Sequence, residues 1–141
     1  MAGTMIKGIS HITLIVKDLE RTAAFLRSVF DAKEVYASED KQFSLSEEQF
    51  FLIHGIWLCI MEGEPLADRT YNHIAFQIEE SDFATYYRAK IAESGAQVRQ
   101  GRSRVEGEGQ SIYFYDFDNH LFELHAGTLV DRLKRYAWAE D

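Results

Sequence analysis

Residues 11–16 read HITLIV and residues 73–78 read HIAFQI, so two segments of the chain begin in the same way. Each places a histidine at the head of a β-rich run, and a helical pattern follows each one. Both halves then continue with three strand-like runs, and an amphipathic pattern over about 128–138 ends the chain. An internal repeat of this length predicts modules that need one another to bury a sheet. The sequence therefore predicts an α+β fold of paired βαβββ modules that form a curved sheet.

The boundaries of the predicted elements follow from composition and periodicity. In the first module we predict strands over 8–16, 33–37, 42–46 and 50–61, and a helix over 19–30 with Asp18 as its N-cap. In the second we predict strands over 71–78, 97–100, 111–117 and 120–126, and a helix that begins at Ser81 or Asp82 and carries Phe83, Tyr87 and Ile91. We treat 5–141 as a single domain, with modules over about 5–64 and 70–126, and 1–4 as an extension or expression remnant.

Composition narrows the classes of function. Fifteen Lys and Arg against 23 Asp and Glu give a net charge of −8, which argues against nucleic acid or an anionic membrane surface as partner. The lone Cys59 excludes an intrachain disulfide or a Cys-x-x-Cys motif. The longest apolar stretch, 50–61, is too short to span a bilayer, and no signal peptide precedes the first strand. We expect a cytoplasmic protein.

The alternation of side chains along the strands predicts a metal site. His11, His73 and Glu123 each occupy the polar face of a strand whose other face is apolar. A sheet that curves around this polar face would bring the three together. Two imidazoles and a carboxylate suit Mn, Fe, Ni, Co or Zn and leave positions for water or substrate. A single strand histidine is more often a hydrogen-bonded structural residue, so the prediction depends on the repeated position.

Several stretches resemble one family. Residues 8–11 (GISH), 71–76 (YNHIAF) and 111–129 (SIYFYDFDNHLFELHAGTL) resemble the fosfomycin-resistance proteins of the vicinal oxygen chelate superfamily, whose fold is also that of glyoxalase, bleomycin-resistance and dioxygenase proteins. The likeness extends over about 5–136. Residues 43–53 (FSLSEEQFFLI) and 104–109 (RVEGEG) are similar to the epoxide hydrolase branch of that family.

The resemblance implies a reaction and a set of residues. It places the metal ligands at His11, His73 and Glu123 with Mn²⁺ as the usual metal, although other divalent metals would fit. It implies hydration of the fosfomycin epoxide to an inactive diol, with Glu48 as the general base that activates water. The residues alone do not choose Glu48 over Glu47, since both fit a solvated loop.

The family likeness also implies substrate contacts. Arg132, Tyr113 and Ser111 match residues that bind the phosphonate, and Thr13 matches a hydroxyl that assists the epoxide oxygen. Trp57 is expected to line the pocket. Without the family, Arg132 reads as a solvent-facing helix residue and Trp57 as core. The resemblance further implies a homodimer whose sites are shared between subunits.

Three alternative functions stay open. A thiol transferase would use the same fold and metal, but its relatives carry a lysine and a potassium-binding loop where this chain has residues 101–109 (GRSRVEGEG). The role of Arg102 and Arg104 in that loop, and of K⁺, is undecided. Two histidines and a carboxylate also serve extradiol-type dioxygenases. A metal-free drug-binding module would not need these three ligands.

Overall fold

The computed structural model describes residues 3–39, 41, 43–82, 88–99 and 109–139. The chain forms two compact units, Met1–Pro65 and Leu66–Asp141. The first contains β1 (Ile12–Val16), α1 (Leu19–Phe30), β2 (Lys33–Ala37), β3 (Glu48–Ile53) and β4 (Ile56–Glu62). The second contains β5 (His73–Gln77), a short 3-10 helix (Glu80–Asp82), α2 (Arg88–Ser94), β6 (Gln97–Arg99), β7 (Gln110–Tyr115), β8 (Leu121–Ala126) and α3 (Leu129–Ala139).

The two units have the same sheet topology, which confirms the repeated α+β architecture. The strand order is β1-β4-β3-β2 in the first sheet and β5-β8-β7-β6 in the second. In each sheet the first strand pairs parallel with the last, and the remaining pairs are antiparallel. The two predicted histidine-headed segments thus occupy equivalent positions in the two sheets.

One face of each sheet is buried and the other carries the polar side chains. In the first unit α1 packs against β3 and β4, and its start is fixed by Asp18, whose carboxylate accepts a hydrogen bond from the Arg21 backbone N–H at 3.1 Å. In the second unit Phe114 and Phe122 are fully buried, with ring centroids 5.9 Å apart. The strand period then leaves the residues of opposite parity on the other face.

The predicted strand over 42–46 is wrong for its described residues, because 43–46 form bends. The module still has four strands because the predicted run 50–61 is a hairpin of two strands, β3 and β4. His54 and Gly55 make its turn with φ of 47° and 78°, and positive φ at both positions matches the right-handed twist of a two-residue hairpin.

The other predicted elements are present with shorter or shifted ends. The helix expected from Ser81 or Asp82 is described as the 3-10 turn and, after a gap, α2, while Phe83 and Tyr87 lie outside the described residues. Ile91, the third residue of that pattern, is buried in α2. Among the described residues no helix is long and apolar enough to cross a membrane.

Candidate metal and substrate site

Two of the three predicted metal ligands meet on the polar face of the second sheet. His73 is the first residue of β5, and Glu123 lies on the adjacent strand β8 opposite Ala75. Because residues two apart in a strand share a face, His73 points to the same side as Glu123. The His73 Nε2 and Glu123 Oε1 atoms are 3.0 Å apart, and the Glu123 side chain is buried.

The tautomer of His73 is set by the backbone before it. Its Nδ1 atom lies 2.8 Å from the carbonyl oxygen of Tyr71, and because a carbonyl can only accept, Nδ1 donates the proton. With that proton on Nδ1, the other ring nitrogen, Nε2, faces the Glu123 carboxylate. A proton on Nε2 or a cation between the two atoms would satisfy both, and metal-binding histidines commonly donate their second ring N–H to a carbonyl in this way.

The two atoms, His73 Nε2 and Glu123 Oε1, are close enough for one ion to contact both side chains. Imidazole and carboxylate together suit Mn²⁺ among other divalent metals. The third predicted ligand, His11, belongs to the other unit. In the part of the chain that the structure describes, no three His, Cys, Asp or Glu side chains form a group that could hold a metal.

A small cavity adjoins this pair. It has a volume of about 290 Å³ and is lined by His73, Glu123, His125, Leu129 and Arg132, among others. The predicted phosphonate ligand Arg132 is half-buried and lines the same cavity as His73 and Glu123, so it is not a solvent-facing residue of α3.

Tyr113 and Ser111 lie on β7 on the same face of the sheet. Tyr113 pairs with Glu123 across the strands, and its ring stands edge-on to His73 with centroids 5.6 Å apart. The Ser111 hydroxyl donates to Glu123 Oε2 at 2.5 Å. Because a hydroxyl has a single proton, Ser111 must turn away from Glu123 before it can donate to a phosphonate.

The residues predicted for the site in the first unit share the polar face of the first sheet. The His11 and Trp57 rings have centroids 4.3 Å apart, so Trp57 lies beside the predicted ligand and not in the core. Thr13 pairs with Cys59 on β4, and its hydroxyl is hydrogen-bonded to the Cys59 side chain. The indole N–H of Trp57 is buried without an acceptor in the described residues, which leaves one donor for a bound ligand or water.

Glu48 is buried at the start of β3, with 7% of its surface exposed. Its backbone N–H donates to the hydroxyl of Ser38 at 2.9 Å, and its Oε2 atom lies 3.7 Å from the Cys59 sulfur. Burial, followed by the charge and the hydrogen bond of Glu48, raises the pKa of Cys59 to about 11, while a hydrogen bond from Thr13 lowers it. The thiol is therefore protonated near neutral pH and donates to Glu48.

The structure separates the two neighbouring glutamates that the residues alone left equivalent. Glu47 is exposed, whereas Glu48 is buried on the face that carries Thr13 and Cys59. No cation pairs with Glu48 in the described ranges of the chain. In the sequence, Cys59 served only to exclude disulfides. Its position beside Glu48 follows from the pairing of β4 with β1, where it lies opposite Thr13, and no pattern in the sequence indicates that pairing.

Comparison with known proteins identifies the class. Residues 8–124 match the family model of the Glyoxalase/Bleomycin resistance protein/Dioxygenase superfamily. The match covers most of the chain, and the chain belongs to this superfamily.

Individual relatives are more specific. The chain is 63% identical over 132 residues to the fosfomycin resistance protein FosX of Listeria innocua, covering 94% of this chain and 98% of that one. It is 39% identical over 138 residues to the metallothiol transferase FosB of Shouchella clausii, covering 94% and 88%. A FosX variant from Listeria monocytogenes, solved with Mn(II) and 1S,2S-dihydroxypropylphosphonic acid, aligns with a TM-score of 0.85 and 60% identity, covering 94% of this chain and 99% of that one.

Proposed function

We propose that this chain is a Mn²⁺-dependent enzyme that hydrates the fosfomycin epoxide to a diol. The observation that carries the proposal is the buried carboxylate of Glu48, unpaired by any cation of the described residues, on the same sheet face as His11 and Thr13. Support comes from the FosX relatives and from the diol phosphonate bound with Mn(II) in the Listeria monocytogenes structure.

Two tasks in the reaction are metal binding and the removal of a proton from water. His11, His73 and Glu123 hold the metal, which when bound supplies Lewis acidity for the oxygen that develops charge as the ring opens. Glu48 accepts a proton from water, whose oxygen forms a bond to an epoxide carbon while that carbon's bond to the ring oxygen breaks. The ring oxygen takes a proton from solvent water to give the diol, and Glu48 returns the proton it accepted to solvent.

Substrate binding is assigned to the cationic and hydroxyl side chains. The Arg132 guanidinium has five N–H donors in a planar fork and suits a phosphonate. Tyr113, beside His73, supplies a phenol on the same face. Ser111 joins them only if its hydroxyl leaves Glu123. We assign Thr13 to assist the epoxide oxygen and Trp57 to line the pocket; the proximity of the Trp57 ring to His11 supports this.

Water and not a thiol is the proposed nucleophile. A thiol transferase gains nothing from a carboxylate that deprotonates water, and Glu48 is buried where it can do so. The protein's own Cys59 does not compete, because its pKa of about 11 keeps it protonated. Thiol transfer is the second candidate, favoured by the FosB relatives. Turnover of fosfomycin with Mn²⁺, measured with and without added glutathione, separates the two.

We further propose a homodimer in which His11 of one subunit serves the site formed by His73 and Glu123 of the other. Support comes from large apolar side chains exposed just before β1, where Met5, Ile6 and Ile9 are each more than two-thirds exposed. The cytoplasmic location stays a prediction from the sequence, to be tested by fractionation.

A mixing experiment tests the shared site directly. The variants His11→Ala and His73→Ala should each be inactive alone. Refolded together at equal amounts, half the dimers are mixed and each holds one intact site, which restores about a quarter of wild-type activity. If both ligands come from one chain, no intact site forms and the mixture stays inactive.

A further inference from the structure

His125 has no part in the reaction described above, yet it contacts three residues of the site, Arg132, Ser111 and Glu123. It lies on β8 two residues after Glu123, on the same face, and opposite Ser111 of β7. Its side chain is largely buried, and it also lines the cavity beside Arg132.

The directions of its hydrogen bonds are determined by its partners. The Arg132 NH2 group lies 3.2 Å from His125 Nε2. Because a guanidinium has donors and no acceptor, Nε2 must accept, and the proton of the neutral ring is on Nδ1. That Nδ1 atom lies 2.7 Å from the Ser111 oxygen and 3.4 Å from Glu123 Oε2, so its shorter hydrogen bond is donated to the hydroxyl and the ring also faces the Glu123 carboxylate directly.

The Ser111 hydroxyl completes a chain of hydrogen bonds in which every donor is directed toward Glu123. Since Ser111 accepts from His125, its own proton is available for Glu123 Oε2, to which it donates. The chain therefore runs from Arg132 through His125 and Ser111 to Glu123. It fixes one carboxylate oxygen of Glu123 and leaves the other, Oε1, directed at His73. Partners of this kind orient metal ligands and strengthen metal binding.

We infer that His125 is a positioning residue that couples the anion-binding guanidinium of Arg132 to the metal-binding carboxylate of Glu123. The inference rests on the proposed function for the identity of the two bound species, the metal and the anion. Its consequence is that the metal and a phosphonate-like anion bind cooperatively, since an anion that orders Arg132 also orders the chain behind Glu123.

Two substitutions separate this role from plain packing. In His125→Gln the amide nitrogen and oxygen lie about as far apart as the two ring nitrogens, so the variant keeps one donor for Ser111 and one acceptor for Arg132. In His125→Phe the ring shape is kept and both hydrogen bonds are lost. His54→Asn is the control, because His54 is an exposed turn residue at φ 47°, a conformation that Asn tolerates.

The measurement is Mn²⁺ affinity, followed by the electron paramagnetic resonance signal of free Mn²⁺, alone and with inorganic phosphate as the anion. We expect His125→Phe to weaken Mn²⁺ binding by about 10–100-fold and to abolish the tightening by phosphate, while His125→Gln and His54→Asn stay within a few-fold of wild type. Unchanged affinity and coupling in His125→Phe, or equal losses in Phe and Gln variants, would overturn the inference.

The inference can still be tested if His125→Phe does not fold or if the protein does not hydrate fosfomycin. If His125→Phe does not fold, Ser111→Ala removes the middle link of the same chain and should weaken Mn²⁺ binding in the same way; normal affinity in that variant would contradict the inference. Because Mn²⁺ binding needs no turnover, a protein that binds the metal as expected but does not hydrate fosfomycin refutes the proposed function and leaves the coupling standing.

Discussion

Replacing Glu48 by Gln changes one atom of a buried side chain and tests the proposed general base. The amide has nearly the shape of the carboxylate, and its oxygen can still accept from the Cys59 thiol, which lies 3.7 Å from Oε2 of Glu48 in the wild-type protein. It cannot take a proton from water. General-base catalysis contributes about 10²–10⁴ in rate, so we expect kcat to fall by that factor, or about 3–5 kcal/mol in the barrier.

Glu47→Gln is the matched control. Glu47 is exposed, and its described tertiary contact is made by its backbone carbonyl, which accepts from the Glu62 N–H at 2.9 Å. We expect its kcat to stay within about twofold of wild type, as for surface substitutions away from special features. Mn²⁺ affinity should be unchanged in both variants, because neither residue is a proposed ligand.

The assay is release of the diol from fosfomycin with saturating Mn²⁺, together with the ionisation of Cys59. Because Glu48 raises the pKa of that thiol by its charge and its hydrogen bond, Glu48→Gln should bring the Cys59 pKa down toward its ordinary value. Hydration at the wild-type rate in Glu48→Gln, or an equal loss in Glu47→Gln, would refute the assignment of Glu48 as the base.

Three further predictions concern the thiol, a tight glycine and the metal. With a pKa of about 11, Cys59 should react with a disulfide reagent at about pH 8 roughly 100-fold more slowly than an ordinary thiol, and faster as pH rises toward 11; ordinary reactivity in the folded protein would contradict this. Gly109→Ala should lower the unfolding free energy by about 2–4 kcal/mol, because its φ is 87° and a Cβ there would overlap the Ala126 carbonyl oxygen. Gly95→Ala, at φ 78° in open space, should cost only about 1 kcal/mol in the same denaturation experiment, and equal losses would count against the steric argument. Removing divalent metal with a chelator should abolish hydration and Mn²⁺ should restore it, whereas full activity after chelation would exclude a metal-dependent reaction.

The repeated fold could be predicted from the sequence because the strand period and the duplicated histidine are local signals. The stretches HITLIV and HIAFQI correctly predict β1 and β5, the edge strands that pair in parallel with β4 and β8. Asp18 correctly predicts the start of α1. The run over 50–61 was harder to divide, since apolar residues continue through both strands. Only the backbone of His54 and Gly55, both at positive φ, shows where the hairpin turns.

The candidate site was likewise predictable from the sequence only in part. Strand faces predict that His73 and Glu123 share a side, and the structure brings them within 3.0 Å. Which of two adjacent glutamates is buried depends on the register of β3 against β4, which sequence does not fix. The links through His125 depend on side-chain directions across three elements, so no local pattern could predict them.

³¹P nuclear magnetic resonance shows directly whether this chain adds water to fosfomycin with the help of a divalent metal. Purified protein is incubated with fosfomycin and Mn²⁺, with and without glutathione. We expect the diol phosphonate as product, at a rate that does not depend on glutathione. A product that appears only with the thiol, or no turnover in either sample, would contradict it.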